Sequence, residues 1–94
     1  MLVRFYIDSG TEAPHIHNHM VSEEEVVDVL EKPGEDRPGQ DGSRIALGQT
    51  ASGRYLKVIY VPDPIPDSVF VITAYDLVGK PLAAYRRRRR KKHQ

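Results

Sequence analysis

The sequence has no cysteine and no tryptophan, and aromatic residues fill only 7% of its 94 positions. Without cysteine there are no disulfides, no thiolate zinc sites and no cysteine nucleophiles. No apolar run approaches the ~20 residues that a bilayer-spanning helix needs. The opening MLVRFYID also lacks a signal-peptide pattern, so a soluble cytoplasmic protein is expected. The length allows one compact domain and excludes a two-domain enzyme with a separate cofactor fold. A chain this short buries only about 60–65% of its unfolded surface, which leaves a thin core. No pattern in it asks for a cofactor, and none is expected.

Acidic residues are missing from one segment. Residues 80–94 carry Lys80, Arg86, Arg87, Arg88, Arg89, Arg90, Lys91 and Lys92, eight of the 14 basic residues, and no acid. The first 79 residues keep six basic residues against all 13 acidic ones, a balance of −7. The chain therefore divides into an acidic α+β domain, 1–79, and a basic C-terminal tail, 80–94. Such asymmetry suits an arm for a polyanion, or one that folds back onto an acidic surface.

Leu2 to Ile7 alternates apolar and polar residues, which predicts a half-buried strand closed by Asp8-Ser9-Gly10. Thr11-Glu12-Ala13-Pro14 reads as a helix start, giving a short helix over about residues 12–19. Ser22 and Glu25 have capping-box spacing, and three glutamates sit where the helix dipole favours negative charge. With the Val26, Val27, Val29 and Leu30 stripe, this predicts a helix over 23–32. Residues 33–43, PGEDRPGQDGS, read as a mobile polar loop. Three strands follow, at 44–50, 54–61 and 68–75. The order β-α-α-β-β-β implies a largely antiparallel four-stranded sheet with helices on one face.

Counting by twos assigns Val3, Phe5, Ile7, Ile45, Leu47, Leu56, Val58, Phe70, Ile72 and Ala74 to the helix side. Arg4, Tyr6, Tyr55, Lys57, Ile59, Val69, Val71, Thr73 and Tyr75 fall on the other. That second face, mixing tyrosines with cations, suits phosphate binding and base stacking, or is an ordinary amphipathic outer face.

His15, His17 and His19 form an H-x-H-x-H pattern. On a strand the three imidazoles would share a side and could hold zinc; on a helix only His15 and His19 do. The helix start favours the second arrangement, which leaves no third ligand, so no metal site is assigned. Histidine also suits proton transfer near neutrality. The arginine run repels itself and is expected to stay partly disordered until a polyanion neutralises it. Arginine forks pair with phosphate oxygens, so Arg86, Arg87, Arg88, Arg89, Arg90, Lys91 and Lys92 are candidate nucleic-acid contacts.

The stretches His19–Leu30, Gly48–Tyr60 and Val71–Tyr75 together resemble the BrnT-type toxins. They are at least as similar to a related group of short uncharacterised domains sharing an H-x-[VI]-S-x-E-E-[VA] helix start, a G-R-x-L-x-V strand and an I-[ST]-A strand. The resemblance runs from about residue 2 to residue 76. It implies a RelE-like fold and a ribonuclease toxin neutralised by a cognate antitoxin, and it marks His19 and Arg54. Family toxins follow the last motif with an arginine, where this chain has Tyr75.

Metal-independent RNA cleavage needs a proton taken from the 2′-hydroxyl, one given to the 5′-oxygen, and cations to stabilise the developing charge. His19, Arg54, Lys57 and Tyr75 are the candidate catalytic residues. RNA is the expected substrate and an antitoxin the expected protein partner. Two alternatives stand beside this expectation: a noncatalytic nucleic-acid-binding domain, and a module that binds a partner protein.

Overall fold

Alternation, one capping box and one unforeseen edge strand generate the architecture. The computed structural model describes residues 1–92; the Lys92 side chain and residues 93 and 94, the end of the basic tail, lie outside the described residues. The elements are β1 (Leu2–Phe5), β2 (Ile7–Asp8), β3 (Ala13–Pro14), a 3₁₀ helix (His15–His19), α1 (Glu23–Glu31), β4 (Glu35–Pro38), β5 (Arg44–Gln49), β6 (Tyr55–Pro62), β7 (Ser68–Asp76) and α2 (Gly79–Lys92). Five strands form one sheet in the order β1-β7-β6-β5-β4, with β2 and β3 as a separate short ribbon. Every pairing in the large sheet is antiparallel except that of β1 with β7. The expected α+β class holds, with five strands instead of four.

The added strand comes from the segment read as a loop. Asp36 pairs with Ala46 and Arg37 with Ile45, while Pro38 and the charged side chains blunt the open edge that β4 presents. The helix expected over 12–19 is also different. Ala13–Pro14 pairs with Ile7–Asp8, and only His15–His19 is helical. Leaving the sheet for this ribbon makes Ile7 half exposed, not a core residue.

The capping box is complete. Ser22 Oγ accepts from the Glu25 amide and Glu25 Oε1 accepts from the Ser22 amide, at 3.2 and 3.0 Å. Val26 and Val29 then bury against Ala46, Leu56 and Val58. Ala46 and Gly48 are small where α1 crosses, and a Cβ on Gly48 would stand 3.1 Å from Val29. That inverts the expected parity of β5, because the bulky Ile45 and Leu47 face the other side. On β7 a register shift pairs Ile59 with Thr73 but Tyr60 with Val71, so Ile72 is an extra residue. Val69 and Val71 therefore turn inward with Ala74, while Phe70 stacks under Arg4 on the outer face.

The 3₁₀ helix and α1 share one face, as expected. The outer face carries a further helix where partial disorder was expected. Arginine is a good helix former, and α2 is seated by Leu82 and Tyr85 on Leu47, Leu77, Ile45 and Tyr55. Among the described residues no helix is long and apolar enough to cross a membrane.

Candidate functional site

The short ribbon brings Asp8 back to the start of the 3₁₀ helix. His15 Nδ1 donates to the Asp8 carboxylate at 3.0 and 3.2 Å, and Asn18 Nδ2 donates to the same carboxylate at 2.6 Å. A carboxylate on one ring nitrogen fixes the imidazole's orientation and tautomer and leaves Nε2 to accept a proton. The His15 ring meets the His19 ring edge to face at 5.2 Å, and His19 meets Tyr75 at 5.7 Å. Lys57 Nζ lies 5.8 Å from the centre of the Tyr75 ring, across the β6–β7 ladder. Three of the four candidate catalytic residues, His19, Tyr75 and Lys57, thus stand in one half-exposed row, and Asp8–His15 extends it.

His17 turns away from this row and pairs with Glu23 at the start of α1. Among the described residues no three histidine, aspartate or glutamate side chains converge as metal ligands would. Asp8 and Asn18 were not anticipated. Asp8 lies seven residues before His15, across a turn whose closure no local spacing announces.

Arg54 sits beside this row and is held by several partners. Its Nε donates to Asp76 at 2.7 Å and its Nη1 to Glu25 at 3.0 Å and to the Met20 carbonyl at 2.7 Å. Nη2 donates to the His19 carbonyl at 3.3 Å. The guanidinium ties the end of β7, the start of α1 and the end of the 3₁₀ helix together. Its hydrogen bond holds the Asp76 carboxyl below its ordinary range, and the Ser22 amide, with Arg54, does the same for Glu25. Four of the five Arg54 N–H donors are thus engaged within the protein, one of them on the His19 carbonyl.

The cations of α2 divide by helix face. Arg88 forms two hydrogen bonds to Glu35, at 2.5 and 2.9 Å, and Arg89 donates to the Gly34 carbonyl at 3.0 Å. Both dock the helix on β4. Arg86 lies over the Tyr55 ring, 5.8 Å from its centre. Arg87, Arg90 and Lys91 stand at i, i+3 and i+4 on the exposed side and have no ion pair among the described residues. Lys92, the remaining candidate, has its side chain outside the described residues.

No curated protein and no solved structure matches the chain. One family model does, over residues 15–76, from His15 at the start of the 3₁₀ helix to Asp76 at the end of β7. The match takes in His15, His19, Arg54, Lys57 and Tyr75 and stops before α2. It covers most of the chain, which therefore belongs to the family described as Domain of unknown function (DUF4258).

Proposed function

We propose that this protein is a cytoplasmic nucleic-acid-binding domain that holds RNA through the exposed side of α2. The observation that carries the reading is the Arg87, Arg90 and Lys91 stripe, cationic and without carboxylate partners among the described residues, on a helix already ordered by Tyr85. An ordered stripe gives up less conformational entropy on binding phosphates than a disordered run would. The acidic balance of residues 1–79 keeps a polyanion away from the body and leaves α2 as its place to land.

The test is a titration of single-stranded RNA at several salt concentrations. Replacing Arg87 and Lys91 together with glutamine is expected to lower affinity and flatten the salt slope by roughly 1 to 1.5, at about 0.7 for each phosphate no longer neutralised. Equal affinity and equal slope would remove α2 from the reading. A truncation at residue 84 would not serve, because it deletes the buried Tyr85.

A second reading is favoured by the row Asp8–His15–His19–Tyr75–Lys57. In it the chain is a BrnT-like, RelE-superfamily ribonuclease toxin, restrained by an antitoxin made beside it. His15, held by Asp8, takes the 2′-hydroxyl proton, His19 returns one to the leaving 5′-oxygen, and Lys57 stabilises the charge between them. Clustering of His19, Tyr75 and Lys57 from separate elements supports this reading.

A further inference from the structure

Between the outer face of the sheet and α2 lies a cleft of about 410 Å³ that shares Arg90 with the stripe above. Its walls include Lys32 from beyond α1, Tyr55 from β6, and Tyr85, Arg86, Arg89 and Arg90 from α2, with no carboxylate among its lining residues. Glu35, the carboxylate that pairs with α2, lines a separate hollow with Arg88. Four cations gathered in one concavity, with no carboxylate among the described residues that line it, repel each other, and an anion placed among them relieves that repulsion. Guanidinium forks match phosphate oxygens in geometry as well as charge.

Charge alone would accept any anion, but the rings narrow the choice. Tyr55 and Tyr85 meet edge to face at 6.1 Å, and the Arg86 guanidinium covers Tyr55 without a carboxylate to hold it there. Tyr85 is nearly buried, whereas Tyr55 is only half-buried and its ring lines the cleft. A base can stack on such a ring in the manner of single-strand binding sites; a carboxylate of an acidic peptide has no use for it. The volume lies within the range of small-ligand sites. Tyr55 and Lys57 lie two residues apart on one side of β6, so a strand leaving the cleft runs toward Lys57 and Tyr75.

We infer that this cleft holds one unpaired nucleotide of a single-stranded RNA, its phosphate on Arg86, Arg90 and Lys32 and its base against Tyr55. The inference rests on the RNA-binding reading above and names the subsite that distinguishes RNA from other polyanions. It is tested with a ten-nucleotide oligoadenylate, inorganic polyphosphate and polyglutamate of equal charge, each titrated against the full chain at low salt.

The wild-type chain should prefer oligoadenylate over both other polymers by about tenfold, given the usual strength of base–aromatic stacking. Tyr55→Leu should lower oligoadenylate affinity by roughly five- to tenfold and leave polyphosphate affinity unchanged. Arg86→Gln, at an exposed position, should weaken both. Equal binding of the three polymers by the wild type, or an oligoadenylate affinity that Tyr55→Leu leaves intact, overturns the subsite while the α2 reading stands. Polyglutamate bound as tightly as oligoadenylate assigns the cleft to an acidic protein instead and also overturns it. No oligoadenylate binding at all overturns both. If Tyr55→Leu does not fold, the wild-type preference and the Arg86→Gln result decide.

Discussion

Arg54 shows how a residue can be legible in kind while its contacts are not. The glycine–arginine turn singles it out as a cation for the scissile phosphate, yet its guanidinium is taken up by two carboxylates and two carbonyls that close the 3₁₀ helix. Arg54→Ala would strand those groups and is expected to cost about 2 kcal/mol of stability, measured by chemical denaturation. A loss of RNA cleavage in that variant would therefore say nothing about chemistry. The discriminating replacement is His19→Gln, since the exposed His19 ring meets the rings of His15 and Tyr75 and makes no side-chain hydrogen bond among the described residues. The ribonuclease reading expects chelator-resistant cleavage to fall by about 10²-fold or more in His19→Gln, with the unfolding midpoint nearly unchanged. A wild-type chain that leaves RNA intact, or a His19→Gln chain that cuts as well, sinks that reading. His19, Lys57 and Tyr75 are legible through short motifs. Asp8 is not, because its meeting with His15 is made by a two-residue ribbon that carries no pattern of its own.

At the scale of elements, α2 depends on its seat. A helix of its length is marginal in water, and five adjacent arginines repel one another, so tertiary anchors decide whether it forms. Tyr85, 4% exposed, is the main anchor. Its hydroxyl packs so closely on Gly34 that a Cβ there would stand 1.8 Å from the oxygen. Tyr85→Ala is expected to cost about 3 kcal/mol of docking and to free residues 79–92 for hydrogen exchange while α1 and the sheet stay protected. Gly34→Ala should reproduce that pattern from the other side of the contact. Protection of α2 equal to wild type in both variants would mean that the arginine helix stands without this seat. In the sequence, charge repulsion along the arginine run argues against an ordered helix. What reverses the balance is the non-local Tyr85–Gly34 contact and the Arg88–Glu35 pair. Similar non-local effects explain the other differences. The charges and prolines of PGEDRPG imitate a loop because an edge strand needs those residues too, and the Ile72 bulge reverses a face that strict alternation assigns otherwise. The capping box at Ser22 is legible because all of its determinants lie within four residues.

Across the whole molecule, charge sets the range of pH over which the fold and its cationic arm coexist. Glu25, Asp63 and Asp76 are all held below their ordinary carboxyl values: Glu25 by the Ser22 amide with Arg54, Asp63 by Arg4 with Ser68, and Asp76 by Arg54. Below those ordinary values the unfolded chain takes up protons that the folded chain refuses. Their stabilisation is thus complete above about pH 5 and is lost as pH falls through the lowered folded values. Tyr60 behaves in the opposite sense. Burial, with the Asp36 carboxylate that accepts its hydroxyl hydrogen at 2.5 Å, pushes it from 10.0 up to about 12. Its stabilisation is complete below pH 10.0 and drains away as pH rises toward about 12, because the unfolded phenol ionises first. Burial raises Tyr85 in the same direction, so α2 shares the alkaline limit. Denaturation midpoints measured from pH 2 to pH 12 should therefore form a plateau with an acid shoulder and an alkaline one. Tyr60→Phe should lower the plateau by about 1 kcal/mol for the missing hydrogen bond and shrink the alkaline shoulder without moving the acid one. An alkaline limb identical in Tyr60→Phe and wild type would show that Tyr60 does not set it. Arginine keeps its charge through the whole plateau, so, on the RNA-binding reading, affinity carried by α2 should stay level there and fall only where the sheet that seats the helix gives way.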